Sequence, residues 1–167
     1  MMRFFGTLLL CLTVCCHLRA QTSFGDACVG SWKGVMHIYN KGVLKDSVPV
    51  RLTVTPTNQP QTWTWKTEYL SPKTPVVKDY ILRLKDAAKQ EYVTDEGNGI
   101  MLLDYLFVNK LYSVFETQGI VLTSTYELIG DTLIFEVTSG KQQTETGPAV
   151  TTYSVDNLQR VVFKKAN

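Results

Sequence analysis

Hydrophobic and polar residues alternate with a period of two along most of this chain, beginning at Trp32. Successive side chains of a strand point to opposite faces, so each alternating run predicts a strand with one apolar and one polar face. This is the pattern of an antiparallel sheet that is wet on one side. The positions predicted to face inward are Trp32, Gly34, Met36, Ile38, Val48, Val50, Leu52, Val54, Trp63, Trp65, Thr67, Tyr69, Tyr80, Leu82, Leu84, Ile120, Leu122, Ser124, Tyr126, Leu128, Leu133, Phe135 and Val137.

Turn-forming residues separate these runs at short intervals. Gly97-Asn98-Gly99, Gln118-Gly119 and Gly130-Asp131 are tight hairpin signals, and 140–148 is a longer polar loop. The spacing predicts about ten strands joined in order. An up-and-down sheet of this size leaves two exposed edges unless its first and last strands pair, and the β-rich run 158–165 stands where a closing strand belongs. The sequence therefore predicts an all-β fold, a single antiparallel up-and-down barrel.

The N-terminus has the layout of a secretory signal peptide. A short basic start ending at Arg3 is followed by an apolar run over 4–16, a polar stretch and the small residue Ala20. The run is too short for a bilayer span, which needs about 20 residues. We expect 1–20 to be a signal peptide cleaved before Gln21, and the product to be secreted or periplasmic. A lipid anchor through Cys15 or Cys16 is the less favoured alternative, because the preceding residues lack the small one usually required.

Cleavage changes the composition of the chain. The full sequence has 17 Lys and Arg against 15 Asp and Glu, and loss of Arg3 and Arg19 makes the mature chain formally neutral. A neutral chain gives no electrostatic reason to expect nucleic acid as a partner. No integral membrane segment is expected after cleavage. One cysteine, Cys28, and one histidine, His37, would remain. We expect 21–29 to be an unstructured lead and 30–167 to form the barrel domain.

The first predicted strand opens with Gly30-Ser31-Trp32. A Gly-x-Trp at this place resembles the opening motif of the calycins, which include lipocalins, fatty-acid-binding proteins and nitrobindins. The resemblance implies a barrel whose tryptophan closes one end, with a basic residue near the last strand packed on the indole. Arg160 is the arginine closest to the C-terminus, so the predicted barrel-closing set is Gly30, Trp32 and Arg160.

The chain departs from individual members of that superfamily. Residues 40–46 are too few for the helical lid of fatty-acid-binding proteins, so no lid is expected. Leu103-Asp104-Tyr105 falls roughly where a lipocalin carries Thr-Asp-Tyr, with Leu in place of Thr. A nitrobindin-like haem site would need a C-terminal histidine, which the sequence lacks. The resemblance therefore extends to the superfamily and to no single member.

Candidate catalytic and metal-binding chemistry is sparse. Cys28 and His37 are predicted to lie on the solvent side of one segment, without a third catalytic member. The acidic cluster Asp95-Glu96 lacks the alternating ligands of a calcium loop and is interpreted as a hairpin turn. We therefore expect no enzymatic activity, no metal site and no cofactor.

Large aromatic side chains on the inward phase indicate a pocket, because ten strands enclose more space than ordinary side chains fill. The favoured hypothesis is a lipocalin-like carrier of a small apolar or amphipathic ligand. One alternative is a protein-interaction module with a filled core, and another, less favoured, is a hydrolase or isomerase built from paired inward carboxylates. The predicted ligand-binding residues are Met36, Leu52, Trp63, Trp65, Tyr69, Tyr80, Leu82, Tyr126 and Phe135.

Overall fold

The computed structural model describes residues 22–143 and 149–166. This part of the chain forms one short helix and ten strands, which confirms the all-β prediction. The elements are α1 (Phe24–Ala27), β1 (Gly30–Asn40), β2 (Val43–Pro56), β3 (Thr62–Tyr69), β4 (Val76–Asp86), β5 (Glu91–Asp95), β6 (Met101–Phe107), β7 (Lys110–Thr117), β8 (Ile120–Ile129), β9 (Thr132–Lys141) and β10 (Asn157–Lys165).

The ten strands close into an antiparallel barrel in which each strand pairs with its neighbours in sequence. Closure is made by β1 and β10, whose ladder runs from Trp32 opposite Lys165 to Asn40 opposite Asn157. No strand of the barrel is therefore left with an unpaired edge. Two residues, Lys41 and Gly42, connect β1 to β2, so no helical lid is inserted there.

The interior of the barrel has two different ends along its axis. Side chains at the start of β1, the end of β2 and the end of β10 pack into a solid core that includes Trp32, Leu52, Val54 and Phe163. We call this the closed end. Toward the opposite, open end a cavity remains between the walls.

The expected unstructured lead over 21–29 is wrong for the residues that the structure describes. Ser23 caps α1 by accepting a hydrogen bond from the Asp26 amide. Phe24 and Cys28 are 4 % and 0 % exposed, because the segment is tucked into the barrel and covers the closed end. The Trp32 Nε1 donates to the Cys28 carbonyl over 2.8 Å. This N-terminal plug, residues 22–29, is therefore part of the core.

The predicted signal peptide over 1–20 and part of the predicted loop over 140–148 lie outside the described residues. The described helix is too short and insufficiently apolar to span a bilayer.

Candidate functional site

A cavity of about 240 Å³ lies inside the barrel, between the closed end and the open end. Its walls come from β3 through β10, so it lies off-centre, away from β1 and β2. Six of the nine predicted ligand-binding residues line it, namely Trp65, Tyr69, Tyr80, Leu82, Tyr126 and Phe135.

The other three predicted residues lie in the solid core. Met36 and Leu52 face inward from β1 and β2, but both are at most 1 % exposed and lie outside the cavity wall. Trp63 is the inward-facing residue of β3 that precedes Trp65, one position closer to the closed end, and it packs against Gly25 of the plug. Alternation identifies the side of the sheet on which a residue lies, but it carries no information on depth along the barrel axis.

Trp32 lies at the closed end, where the resemblance puts the barrel-closing tryptophan, but the basic residue packed on it is not Arg160. Trp32 is 1 % exposed at the closed end, and the cation over its ring is Lys165, with Nζ 5.3 Å from the ring centroid. Arg160 donates from Nε to the Glu136 carboxylate over 2.8 Å on the outer face. The reason is the alternation of side chains along β10. Lys165 is two residues after the inward-facing Phe163 and lies on the same face, whereas Arg160 is three residues before it and lies on the outer face.

Gly30, at the same end of the barrel, lacks a side chain where the Lys165 side chain passes. Its φ of 135° lies in the region that favours glycine. A Cβ at this position would come within 2.9 Å of the Lys165 Cε. The glycine of the Gly-x-Trp motif therefore leaves space for the lysine stem that crosses the closed end.

A row of aromatic rings forms the cavity floor. Phe24 of the plug stacks below Trp65 with ring centroids 6.3 Å apart, and Tyr126 stands edge-on to Trp65 at 5.1 Å. Tyr126 in turn stacks on Phe135 at 4.4 Å. Such pairs are favourable beyond the area they bury, by about 0.5–1.5 kcal/mol. The floor therefore presents packed aromatic rings that are suited to contact a flat apolar molecule.

One polar atom of this floor has no partner. Trp65 is 3 % exposed, and among the described residues its Nε1 is the buried side-chain nitrogen or oxygen that makes no hydrogen bond. The Tyr126 hydroxyl lies near it but outside hydrogen-bonding geometry. Burial raises the pKa of Tyr126, and the nearby Trp65 and Thr67 side chains offset that rise in part. The Tyr126 hydroxyl is thus uncharged at neutral pH, and the Trp65 Nε1–H is the group left to meet a ligand acceptor.

A polar group on the β5–β7 wall was missed by the sequence prediction. Asp104 is 3 % exposed, accepts a hydrogen bond of 2.7 Å from the Thr94 hydroxyl and lies opposite Ser113. Burial raises the pKa of Asp104 to about 6, although Thr94 and Ser113 act in the opposite direction. All three side chains line the cavity.

The pattern of β6 explains why Asp104 was missed. On this strand Leu103 and Phe107 point outward and are exposed, whereas the carboxylate points inward. The more apolar face is therefore the outer one, and alternation alone favours the wrong side. The one sequence signal is the lipocalin-like position of Leu103-Asp104-Tyr105, which by itself indicates a family resemblance and no site.

The rim at the open end carries opposite charges. Lys78 is exposed at the cavity edge, and Glu96 lies beside the Tyr80 hydroxyl. Burial raises the pKa of Tyr80, and the Glu96 carboxylate raises it further. Gln159 of β10 completes this part of the wall. A ligand entering at this end therefore passes charged groups before it reaches the aromatic floor.

The structure separates the two residues considered for nucleophilic catalysis. Cys28 is buried in the plug, contrary to the expectation of a solvent-facing thiol, and burial raises its pKa to about 12. His37 is exposed on the outer face of β1, as expected. Within residues 22–143 and 149–166, no group of three or more His, Cys, Asp or Glu side chains is placed to hold a metal ion.

Comparison with known proteins gives a likeness of fold without a likeness of sequence. No family model and no curated protein matches the chain. Among solved structures, an S-type phycobiliprotein lyase from Guillardia theta superimposes with a TM-score of 0.63 at 8 % identity, over 86 % of this chain and 91 % of that one. A variant of the fluorescent protein UnaG superimposes with a TM-score of 0.50 at 20 % identity, over 84 % and 97 %. The fold is thus of the calycin type, a closed ten-stranded antiparallel barrel. The calycin resemblance seen in Gly30-Ser31-Trp32 is thereby confirmed at the level of the fold.

Proposed function

We propose that this calycin barrel is a secreted or periplasmic carrier that binds a small amphipathic or apolar ligand inside its cavity. The observation that carries the proposal is the unpaired Nε1–H of Trp65 on the floor of that cavity. Buried polar groups are nearly always hydrogen-bonded in native proteins. A buried donor that makes no hydrogen bond lowers the stability of the protein by about 1–3 kcal/mol. A ligand atom that accepts a hydrogen bond from the Nε1–H would recover this free energy.

The size of the cavity limits the ligand. At about 240 Å³ it is slightly smaller than the roughly 300–1,000 Å³ of typical small-molecule pockets. The floor offers aromatic faces, and the wall offers hydroxyl, carboxylate and indole groups at separate places. A compact ligand with one flat apolar body and a small number of polar atoms suits both features. The open volume is also the argument against the alternative of a module with a filled core.

We favour ligand binding over catalysis, because the two carboxylates of the cavity lie too far apart to act as a catalytic pair. Glu96 and Asp104 both line the cavity. In the β5–β6 ladder Asp104 lies opposite Tyr92, which is four residues before Glu96 in the sequence. At about 3.3 Å per strand residue the two backbones are roughly 13 Å apart along the strand. Carboxylates that share a proton, as in aspartic proteases, must be in close contact. We therefore include the absence of enzymatic activity in the proposal.

Export is the remaining part of the proposal, and it depends on the N-terminal sequence. The basic start, apolar run and small residue at Ala20 support cleavage and release. The lipid-anchored form through Cys15 or Cys16 is the alternative. The two structural neighbours, a lyase and a fluorescent protein, share no single activity, so the proposed ligand rests on this cavity alone.

A pair of substitutions in β8 tests cavity binding directly. Ser124 lines the cavity, whereas its neighbour Thr123 takes the opposite phase. Ser124→Phe should fill the space and abolish binding of a small neutral arene, measured by isothermal titration calorimetry. Thr123→Phe adds the same ring outside and should leave binding unchanged. Binding that survives Ser124→Phe, or is lost equally in both variants, would contradict the proposal.

Truncation of the floor supplies a second test. Trp65→Ala and Tyr126→Ala should weaken binding of the same arene, because each removes an aromatic contact from the cavity. Lys66→Ala, on the opposite phase of β3, is the control and should bind as the wild type does. Tryptophan emission should shift on ligand addition in the wild type. A result in which Lys66→Ala weakens binding as much as Trp65→Ala would place the ligand outside the barrel.

A second candidate function is contact with another protein through the outer face of β6 and β7. Leu103, Tyr105, Phe107, Tyr112 and Val114 are all 37 % or more exposed there, and Phe107 and Tyr112 pack edge to face. Exposed apolar patches of this kind mark interaction surfaces. Sedimentation velocity of the wild type against Val114→Lys tests self-association first. An unchanged monomer in both proteins would remove a second copy as the partner.

A further inference from the structure

The charges that face the cavity are unevenly distributed in depth. Asp104 is 3 % exposed, and none of the ion pairs among the described residues includes it. The cation of the cavity wall, Lys78, lies at the rim. On the β4–β5–β6 ladder Asp104 is level with Leu84, six residues from Lys78, which is roughly 20 Å along the strand. The deep part of the cavity therefore holds a carboxylate without a cation.

The partners of Asp104 leave it able to accept more hydrogen bonds. A carboxylate has about four acceptor positions, and the Thr94 hydroxyl uses one at 2.7 Å. The Thr94 amide and the Ser113 hydroxyl also stabilise the charge, which leaves about one position for a ligand donor. The other ionisable groups that face the same cavity are Glu96, Lys78 and the hydroxyls of Tyr69, Tyr80 and Tyr126. Of these, only the lysine is a cation, and it is distant. A charge-assisted bond from a ligand donor would therefore find a free acceptor.

We propose that Asp104, held by Thr94 and Ser113, recognises a protonated amine attached to an aromatic body, so that the cavity selects arylalkylamines over carboxylates of the same shape. The inference rests on the proposed ligand-binding function and deepens it. The aromatic body would lie on Trp65, Tyr126 and Phe135. An oxygen substituent on that body would accept the unpaired hydrogen bond of the Trp65 Nε1.

Two physical effects separate amines from acids at this site. An ammonium group forms charge-assisted hydrogen bonds with a carboxylate, which are about twice as strong as neutral ones. A carboxylate ligand would instead place a second negative charge beside Asp104 in a poorly hydrated space, where like charges repel strongly. Fatty acids and aryl acids are thus disfavoured, unlike amines of equal size.

Three matched probes test the selectivity by isothermal titration calorimetry near neutral pH. Tyramine carries the amine, tyrosol carries a hydroxyl in its place, and hydroxyphenylacetate carries a carboxylate. We expect tyramine to bind at least about tenfold more tightly than either analogue, the lower limit for one charge-assisted hydrogen bond. Its affinity should fall as the pH is lowered through about 6, because protonation removes the negative charge of Asp104. Equal affinity for the acid, or no change with pH, would overturn the proposal.

Substitution of carboxylates locates the effect. Asp104→Asn should reduce tyramine affinity to that of tyrosol while keeping tyrosol affinity within about twofold. Asp95→Asn is the matched control, since that carboxylate pairs with Arg83 on the outer face at 3.0 Å. The preference should survive in this variant. If Asp104→Asn retains the preference, or if Glu96→Gln alone removes it, the assignment to Asp104 is wrong.

The outcome also distinguishes failure of this inference from failure of the proposed function. If tyrosol binds and Ser124→Phe blocks it, the cavity is a binding site whatever the amine result. If that binding is present and tyramine shows no advantage, only the amine inference fails. If none of the three probes binds the full mature protein, and neutral arenes do not bind either, both fail.

Discussion

The Nζ of Lys165 lies 5.3 Å from the centroid of the Trp32 ring, at the point where the first and last strands of the barrel meet. The two residues are directly opposite in the β1–β10 ladder, so barrel closure itself brings the cation to the indole. Trp32 is also held from below, where its Nε1 donates to the Cys28 carbonyl. The N-terminal plug and the C-terminal strand are therefore coupled through one side chain.

Lys165 and Trp32 should show energetic coupling in a double-mutant cycle. Lys165→Met keeps an apolar stem and removes the charge, and with Trp32→Phe the interaction energy should be about 0.5–1 kcal/mol, since the ammonium is partly in water. Urea unfolding followed by fluorescence measures each variant. Arg160→Ala, which breaks an outer-face pair with Glu136, should show no coupling to Trp32. Coupling to Arg160 in place of Lys165 would contradict this arrangement.

Gly25 should tolerate no side chain, because the Trp63 ring occupies the place of a Cβ. Alanine would gain up to about 1 kcal/mol in helix propensity, but overpacking a buried contact costs about 1–3 kcal/mol, so steric conflict should dominate. The Trp63 ring has limited freedom to move, since its Nε1 donates to Asp26 over 2.9 Å. We expect Gly25→Ala to lower the free energy of unfolding.

The Trp63→Phe background provides the control for this substitution. A smaller ring leaves space for the new methyl group, so Gly25→Ala should cost clearly less there than in the wild type. The same cost in both backgrounds, measured by denaturant titration, would mean that Gly25 and Trp63 are not in contact.

Strand alternation predicts the inward faces well wherever one face is clearly more apolar. On β3 and β8 the polar phase carries charges or threonines, so the amino-acid sequence alone is enough to assign Trp65 and Tyr126 to the interior. Depth cannot be predicted in this way. Trp63 has the same phase as Trp65, and both rings contact the plug. Trp63 lies against Gly25 in the core, whereas Trp65 stacks on Phe24 and still lines the cavity, a difference in depth that the period of two does not show.

The plug and the polar wall were missed for different reasons. Helix α1 spans four residues, which is too short for a helical period, and its burial is a tertiary effect of Phe24 entering the barrel. Asp104 was missed because its strand exposes Phe107 and Leu103 on the outside. A strand whose apolar face is exposed is locally inconsistent, and such inconsistencies concentrate at functional sites.

Cys28 should be unreactive in the folded protein. The thiol is 0 % exposed and burial raises its pKa to about 12, so neither access nor the thiolate form is available at neutral pH, although Lys165 lowers the pKa slightly. Iodoacetamide labelling followed by intact mass should be negligible in buffer and complete in concentrated urea. Rapid labelling without denaturant would show that the plug is not seated.

Processing at the N-terminus should yield a mature chain that begins at or near Gln21. The apolar run over 4–16 is long enough for a signal peptide, and Ala20 supplies the small residue before the cut. Edman sequencing of the exported protein tests this. A mature form that starts with a lipidated Cys15 or Cys16 would establish the membrane-anchored alternative.

Asp104 should destabilise the empty protein at neutral pH. Its pKa is raised from 3.8 to about 6, mainly by burial, so between these values the folded state binds the proton more tightly than the unfolded state does. The folded protein therefore loses stability as the pH rises from 3.8 to about 6. Below this window the carboxyl is protonated in both states and costs nothing, and above it the full cost of burying the charge applies. Two pKa units correspond to about 3 kcal/mol, an upper limit for the effect.

Asp104→Asn removes the titrating group while its side-chain oxygen can still accept from Thr94. The variant should equal the wild type in free energy of unfolding near the lower end of that window and exceed it by up to about 3 kcal/mol above the upper end. Urea titrations at a series of pH values measure the difference. Carbon-13 NMR of the carboxyl provides the pKa independently, and Thr94→Val should raise it further, because the lost hydrogen bond favours the ionised form. A stability difference that is constant with pH would show that Asp104 ionises as freely as an exposed aspartate, and one that grows as the pH falls would show that folding lowers its pKa.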